Sequence, residues 1–304
     1  MMKVGYNGSV LDADQAVLSV YEHGFLYGLG LFETLRTYGG EPWLLERHLA
    51  RLQEGCRALG ICYEADPDVI REWLRRLMDA CGLEEAYVRL TVSAGVGELG
   101  LPSGDYEAPN AILLVKPLPA LPGRLDTHGK PLRLLRLPRN TPEGGVRMKS
   151  LHYMNNILAK RELAAAGPPE AEGLMLTQDG WLAEGIVSNL FFVREGVVCT
   201  PEIGTGILPG ITRAKVLELA HAAGVSCGEG RYRPDLLFEA DEIWVTNAIQ
   251  ELVPITAIIG TDGTKTTIGA GQSGPICRRL LQLYREQAWR AVGAAQPQGE
   301  EGRR

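Results

Sequence analysis

The stretch RMKSLHYMNNILAKRE, residues 147–162, places a lysine just before a predicted amphipathic helix. The helix is expected to contain residues 155–166, and Lys149 precedes it. Most lysines are solvated surface charges, but a desolvated lysine amine is a nucleophile that condenses with carbonyl compounds. The chemical interpretation requires other polar groups in the same pocket. Tyr153 is near enough along the chain to be one of them, or it is a core tyrosine.

A second polar stretch, TGILPGITRAKV (residues 205–216), predicts a helix that opens at Ile211 and Thr212. Exposed N–H groups at a helix start, with a hydroxyl beside them, bind phosphate well. The alternative is an ordinary helix with Thr212 as its N-cap residue, and this stretch alone favours that alternative. Neither a GxGxxG nor a P-loop pattern is present, so a nucleotide ligand is not indicated.

Two further stretches place polar side chains in apolar surroundings. In WLAEGIVSNLF, Glu184 interrupts a strand-like run and needs a partner if it is buried; by itself an outward orientation is favoured. In WVTNAIQELVPI, a buried strand ends at Thr246 and Asn247, where a ligand site and a simple turn are equally compatible with the pattern.

Two arginines lie near these motifs. Arg51 is on a predicted helix beside its leucine stripe, and Arg36 ends the FETLR strand. A guanidinium group suits phosphate and carboxylate, although a solvated face is the default for each residue. A lysine, a phosphate-suited helix start, a lone acid and an arginine together match pyridoxal phosphate chemistry. There, lysine holds the aldehyde, helix N–H groups and arginine hold the phosphate, and an acid keeps the pyridine nitrogen protonated.

The motifs HGFLYGLGLFETLR, ERHLARL, RMKSLHYMNNILAKRE, EGIVSNLF and LPGITR occur in this order and spacing. Together they resemble the fold-type IV pyridoxal-phosphate enzymes, from about residue 4 to about residue 283. That group contains branched-chain and D-amino-acid aminotransferases and 4-amino-4-deoxychorismate lyases. The resemblance implies an α+β protein of the D-amino-acid aminotransferase type. Its N-terminal domain would be a smaller α/β unit, and its larger C-terminal domain would have a mixed β-sheet or barrel core.

Residue by residue, the resemblance implies a set of roles. Lys149 would form the Schiff base and move protons, and Glu184 would face the pyridine nitrogen. The expected phosphate ligands are Arg51, Ile211, Thr212, Asn247 and Ala248. A threonine often stands where Ala248 is, so only the backbone N–H can serve there. The other expected cofactor contacts are Tyr153 and Asn189, and the expected substrate contacts are Tyr27, Arg89 and Arg36.

The stretches TPEGGVRMKSLHYMNNILAKRE and GQSGP look most like the lyases of the group. The expected reaction removes pyruvate from 4-amino-4-deoxychorismate and leaves p-aminobenzoate, on the way to folate. Thr34 would place a hydroxyl near the leaving group. The alternative is a D-amino-acid or branched-chain aminotransferase. Members of the group are usually homodimers, so a homodimer is expected. A non-catalytic binding protein on the same fold is disfavoured by Lys149, Glu184 and Arg51.

The composition is that of an ordinary globular protein: 304 residues, 45% hydrophobic and 22% charged. The net charge of −6 argues mildly against a nucleic-acid or membrane-surface partner. Six scattered cysteines include no CxxC pair and no Cys/His cluster, so neither a metal site nor a disulfide framework is expected. Free thiols and the lack of an apolar leader favour a cytoplasmic location.

The chain is expected to divide at the proline-rich stretch KPLPALPGRLDTHG. We expect a smaller domain at residues 1–118, a linker at 119–126, a larger cofactor-binding domain at 127–292 and a disordered tail at 293–304. The main predicted elements are hairpins at residues 7–8, 39–40 and 189–201, helices at 45–59, 67–81, 211–223 and 275–290, strands at 86–95, 111–118, 132–137 and 242–247, and a strand-turn-strand unit at 173–185.

Overall fold

The computed structural model describes residues 2–119 and 125–293, and its first part is built on an antiparallel sheet. The described strands are arranged in the order β2-β1-β6-β5-β3-β4. The elements are β1 (Lys3–Tyr6), β2 (Ser9–Asp12), α1 (His23–Tyr27), β3 (Gly30–Tyr38), β4 (Glu41–Pro42), α2 (Leu45–Ala58), α3 (Pro67–Cys81), β5 (Tyr87–Ser93) and β6 (Asn110–Lys116).

The two predicted hairpins of this sheet are confirmed. Asn7 and Gly8 have φ angles of 46° and 81°, and Gly39 and Gly40 have φ angles of 57° and 81°. Two-residue turns with positive φ at both positions match the twist of the strands that they join, which is why asparagine and glycine are found there. The chain therefore sets the register of β1 with β2 and of β3 with β4 locally.

Two helices cover one face of the first sheet and bury its core. Helix α3 begins as predicted, because the side chain of Asp66 accepts hydrogen bonds from the N–H groups of Asp68 and Val69. It ends at Gly82, which has a left-handed conformation. The leucine stripe of α2 and the apolar face of α3 pack on alternate residues of β3, β5 and β6 in one continuous core.

The second part contains a nine-stranded mixed sheet among the described residues, with the order β12-β11-β10-β13-β14-β7-β8-β9 and β15 paired to β14. Its elements are α4 (Leu125–His128), β7 (Lys130–Leu134), α5 (Met154–Ala166), β8 (Glu172–Leu176), β9 (Leu182–Gly185), β10 (Asn189–Arg194), β11 (Val197–Pro201), α6 (Ile211–Ala222), β12 (Cys227–Gly230), β13 (Glu242–Asn247), β14 (Glu251–Ile259), β15 (Lys265–Thr267) and α7 (Pro275–Ala291).

This second sheet curls on itself. Strand β9 is the last in the order and β10 is the third, yet only residues 186–188 join them. Such a short connection spans on the order of 13 Å, so the far edge of the sheet has to return beside β10. The N–H of Leu182 on β9 also donates to the carbonyl of Tyr232, which follows β12, at 2.8 Å. The expected α+β fold with a barrel-like C-terminal core is confirmed.

Two C-terminal elements differ from the sequence-based expectation. Strand β14 was not predicted because Pro254 interrupts its apolar run, and proline cannot donate to a strand ladder. It nevertheless lies centrally between β13 and β7. Helix α5 is less amphipathic than its sequence suggested. It buries Asn156, Ala159 and Leu163 but exposes several apolar side chains, namely Met154, Ile157 and Leu158.

The two sheets draw on residues 3–116 and 130–267, on either side of the predicted linker. Residues 120–124 of that linker and residues 294–304 of the predicted tail lie outside the described residues, and the domain boundaries stay predictions. The two parts share a core where Tyr38 of β3 packs among side chains of α6 and α7. Of the helices in the described ranges, none combines the length and the apolar character needed to span a bilayer.

Candidate active site

A cavity of about 600 Å³ lies where the two sheets meet, and both parts of the chain line it. Most of the residues predicted for a cofactor or substrate site come together on its wall. They are Thr34, Arg51, Arg89, Lys149, Tyr153, Glu184, Asn189, Ile211, Thr212, Asn247 and Ala248.

Lys149 lies in an extended segment that pairs with β3, before α5 begins. Its carbonyl accepts a hydrogen bond from the N–H of Phe32 at 2.9 Å, and its Nζ lies 4.6 Å from the centre of the Phe32 ring. The side chain borders the cavity, but protein atoms crowd the amine. Burial and the charge of Arg51 lower the pKa of Lys149 to about 8, against the opposing effect of Glu33 and Glu184. Lys149 is therefore the desolvated amine that the chemical interpretation requires.

Glu184 points inward, and cationic and N–H groups surround its carboxylate. Arg139 Nε donates to Oε1 at 2.8 Å, and Arg147 Nε lies 3.8 Å from the same oxygen. The N–H of Leu208 donates to Oε2 at 2.9 Å, and Asn189 Nδ2 donates to it at 3.3 Å. A carboxylate offers about four acceptor positions, so these partners fix its orientation on the cavity wall.

Arg51 reaches the cavity from α2 and is held by a buried acid. Its Nε and Nη2 donate to the two oxygens of Glu33 at 2.8 and 2.7 Å, and its Nη1 donates to the carbonyl of Pro209 at 2.7 Å. His48 Nδ1 lies 2.6 Å from Glu33. Burial alone would raise the pKa of Glu33, but Arg51 and His48 outweigh it and lower it to about 2. Burial lowers the pKa of His48, and its Nδ1–H donates to Glu33, since a carboxylate oxygen accepts.

The start of α6 has no side-chain cap. Its N-cap residue is Gly210, which has no side chain to accept from the first turn, and Thr212 lies inside the helix instead of capping it. Ile211 and Thr212 line the cavity. Asn189 Nδ2 donates to the carbonyl of Leu208 at 3.0 Å and so fixes the approach to the helix. The first N–H groups of a helix without a side-chain cap attract negative charge.

The turn after β13 closes the same region. Asn247 Oδ1 accepts from the N–H groups of Ile249 and Gln250 at 3.0 and 2.8 Å. Asn247 therefore shapes the turn, and Ala248, the next residue, lines the cavity.

The opposite wall carries Arg89 and Thr34, which are direct partners in the β3–β5 ladder. The guanidinium of Arg89 stacks 3.6 Å from the Phe32 ring centre, and its Nε donates to Thr91 at 3.2 Å. Burial lowers the pKa of Arg89. Tyr153 packs edge-on against Phe32, with ring centres 5.3 Å apart. This wall combines a cation, a hydroxyl and aromatic rings.

Two residues that were predicted to contact the substrate do not line this cavity. Tyr27 is part of α1, where its hydroxyl accepts from the N–H of Gly100 at 3.0 Å. Arg36 Nη1 donates to the carbonyl of Ile249 at 3.3 Å and lies 3.6 Å from Glu251. In this chain, the contacts of Arg36 serve the turn after β13.

The sequence analysis missed Glu33, His48, Arg139 and Arg147. A signal for Glu33 was available, because it alternates with Leu31 and Leu35 on the face of β3 that packs against α2. A carboxylate on an apolar face requires a partner. For Arg139 and Arg147 we find no comparable local signal, because both lie in an irregular segment before α5.

Known proteins resemble this chain over nearly its whole length. The chain is 40% identical to an aminodeoxychorismate lyase of Bacillus subtilis, over 92% of this chain and 93% of that protein. It is 35% identical to a putative branched-chain-amino-acid aminotransferase of Methanocaldococcus jannaschii, over 94% and 96%. A crystal structure of the T.th. branched-chain amino acid aminotransferase with pyridoxamine 5'-phosphate superposes with a TM-score of 0.82 at 28% identity, covering 94% of this chain and 93% of that one.

The family model for amino-transferase class IV matches residues 30–258, a span that starts at β3 and ends in β14. It includes the buried amine of Lys149, the carboxylate of Glu184 and the helix start at Ile211. Since the match covers most of the chain and the relatives align over nearly their whole length, this chain belongs to the amino-transferase class IV family.

Proposed function

We propose that this chain is a pyridoxal-phosphate-dependent lyase that converts 4-amino-4-deoxychorismate to p-aminobenzoate and pyruvate. The observation that carries the proposal is its 40% identity to a lyase over nearly the whole of both chains. The side-by-side placement of Thr34 and Arg89 on the cavity wall is consistent with it.

The residues on the cavity wall fit pyridoxal 5'-phosphate, which is the cofactor of the family to which the chain belongs. Lys149 supplies the amine that tethers the aldehyde. The uncapped start of α6 and the guanidinium of Arg51 suit the phosphate, and the carboxylate of Glu184 suits a protonated ring nitrogen. When bound, the cofactor supplies an electron sink for the C–H bond that is broken.

Lys149 is the group that moves protons in the proposed reaction. With a pKa near 8, roughly 9% of its amine is uncharged at pH 7, against roughly 0.03% at the ordinary value of 10.5. The uncharged amine removes the proton from the substrate carbon that bears the amino group. The bond between the ring carbon and the enolpyruvyl oxygen then breaks. Lys149 returns the proton to the methylene carbon of the released enolpyruvate, which becomes pyruvate. Aromatisation of the ring drives this step.

Arg89 and Thr34 orient the substrate. Arg89 is half-buried against Phe32, so its charge is partly desolvated and attracts a substrate carboxylate. Thr34 is its ladder partner and presents a hydroxyl to the same region, near the oxygen that leaves with the enolpyruvyl group.

Two assays on one preparation test the proposal. The purified protein is supplied with aminodeoxychorismate, and p-aminobenzoate and pyruvate are measured. It is separately supplied with D-alanine or leucine and 2-oxoglutarate. We expect equal amounts of the two lyase products and slow transamination, and no lyase product from Lys149→Ala. Fast transamination without p-aminobenzoate would reject the lyase and favour the aminotransferase, which the 35% identity to a putative branched-chain enzyme keeps as the second candidate.

We also propose that the chain acts as a homodimer in the cytoplasm, within folate synthesis. Apolar side chains of α5 and of the neighbouring loop support the dimer, since Met154 is 74% exposed, Ile157 57% and Val187 52%. Light scattering should give twice the chain mass for the wild type, and Ile157→Glu should shift the equilibrium toward monomer. A monomeric wild type would contradict the dimer.

A further inference from the structure

The turn between β13 and β14 rests on an unusual residue. Asn247 pairs with Glu251 across the hairpin, so Ala248, Ile249 and Gln250 form a three-residue loop. Glu251 follows this loop with a φ angle of 62°. Glycine is the usual residue at a left-handed position of a hairpin, because a β-carbon crowds the backbone there.

The side chain of Glu251 is buried, and three side chains contact its carboxylate. Tyr38 Oη donates to Oε1 at 2.6 Å, and Arg285 Nε donates to Oε2 at 2.6 Å. Arg36 Nη1 lies 3.6 Å from Oε1. These partners come from β3 and α7, two elements that are far apart in the sequence. The carboxylate is therefore fixed relative to both parts of the protein.

One of these partners, Arg36, also contacts the loop itself. Arg36 donates from the same Nη1 to the carbonyl of Ile249, the central loop residue, and its guanidinium lies 4.4 Å from the ring centre of Tyr38. The loop residues 248–250 line the same cavity as Ile211 and Thr212 at the start of α6. A strained backbone persists only where its surroundings hold it in place, and here the holding contacts converge on Glu251.

We propose that Glu251 is a positioning residue for the cofactor phosphate, which it serves by holding the turn 247–250 against the start of α6. This inference rests on the proposed cofactor and is independent of whether the enzyme is a lyase or an aminotransferase. Glycine at position 251 would keep the backbone conformation without strain. It would remove the contact to Tyr38, Arg36 and Arg285 and leave the turn mobile.

The test separates a phosphate effect from a general loss of structure. The full-length chain is stripped of cofactor, and its affinity for pyridoxal 5'-phosphate is compared with that for pyridoxal, which lacks the phosphate. For Glu251→Gly we expect the affinity for pyridoxal 5'-phosphate to fall at least ~10-fold, as for the loss of a charge-assisted hydrogen bond. The affinity for pyridoxal should stay within about twofold.

Glu195→Gly is the matched control. Glu195 also has positive φ, 51°, at the turn between β10 and β11, but it is exposed and does not line the cavity. Neither affinity should change in this variant. Tyr38→Phe removes the hydrogen bond from the Tyr38 hydroxyl to Glu251 and keeps the ring. It should lower the affinity for pyridoxal 5'-phosphate about threefold. If Glu251→Gly does not fold, the affinities of Tyr38→Phe test the inference instead.

Equal losses of both affinities in the folded Glu251 or Tyr38 variant would overturn the inference, because they indicate a structural role alone. Unchanged affinity for pyridoxal 5'-phosphate would overturn it as well. A wild-type chain that binds neither compound would overturn the proposed cofactor and this inference together. If the wild type binds pyridoxal 5'-phosphate and Glu251→Gly binds it with the same affinity, only the inference is overturned.

Discussion

Replacing Lys149 by methionine is expected to stabilise the cofactor-free protein at neutral pH. The folded environment disfavours the charged amine, chiefly through burial and then through Arg51. The pKa of about 8 lies about 2.5 pH units below 10.5. At about 1.36 kcal/mol per unit, a charged Lys149 costs the folded state about 3 kcal/mol at pH 7. Methionine is similar in length and carries no charge, so the variant should recover that energy.

The pH dependence identifies the cause. The pKa of Lys149 is lower in the folded than in the unfolded protein. The charged amine therefore destabilises the folded state by the full amount below pH 8, by less as the pH rises, and not at all above pH 10.5. At pH 9.5 about 1 kcal/mol of this cost remains. The advantage of Lys149→Met should therefore be about 2 kcal/mol smaller at pH 9.5 than at pH 7. Any gain from the apolar side chain itself is the same at both pH values.

Urea unfolding of the two apoproteins at pH 7 and pH 9.5, followed by tryptophan fluorescence, measures this difference. Lys116→Met is the control, since Lys116 also borders the cavity but is exposed, and its free energy of unfolding should change by less than about 0.5 kcal/mol. A Lys149→Met advantage of equal size at both pH values would refute the assignment of the cost to the charged amine.

Three further outcomes are expected. Glu33→Gln should lower the free energy of unfolding at pH 7 by about 3 kcal/mol, because the buried charge of Arg51 loses its partner. The wild type keeps the Glu33 contribution above pH 4.5 and loses it as the pH falls toward 2, so urea unfolding should show the two proteins converging in acid. Arg89→Ala should raise the KM for aminodeoxychorismate by roughly 10-fold or more, as for the loss of a charged hydrogen bond, and an unchanged KM would remove Arg89 from the substrate site. Asp66→Ala should cost about 1 kcal/mol of stability through the lost N-cap while leaving steady-state kinetics unchanged.

The candidate site was largely predictable where its chemistry is local. Lys149 before a helix and the glycine-flanked start of α6 are each contained in a few consecutive residues. Their joint occurrence indicated the cofactor before the structure placed them around one cavity. Glu184 was harder, because its strand alone favoured an outward orientation. Its partners Arg139 and Leu208 come from elsewhere in the chain.

The long-range partners could not be predicted in the same way. Arg36 was expected at the substrate, yet it contacts Ile249 and Glu251, more than two hundred positions along the chain. Strand β14 carries a proline that argues against a strand, and it is central because its neighbours on both sides pair with it. Tertiary context overrides local propensity at such positions.

The amino-acid sequence by itself determined the elements that depend on neighbouring residues. These are the hairpins at Asn7-Gly8 and Gly39-Gly40 and the capped start of α3. Backbone sterics and local hydrogen bonds decide such features within a few residues. Only the tertiary structure decided which charges meet, as in Glu33 with Arg51. A buried ion pair forms where packing brings two distant segments together and removes water from both, and no local pattern specifies that encounter.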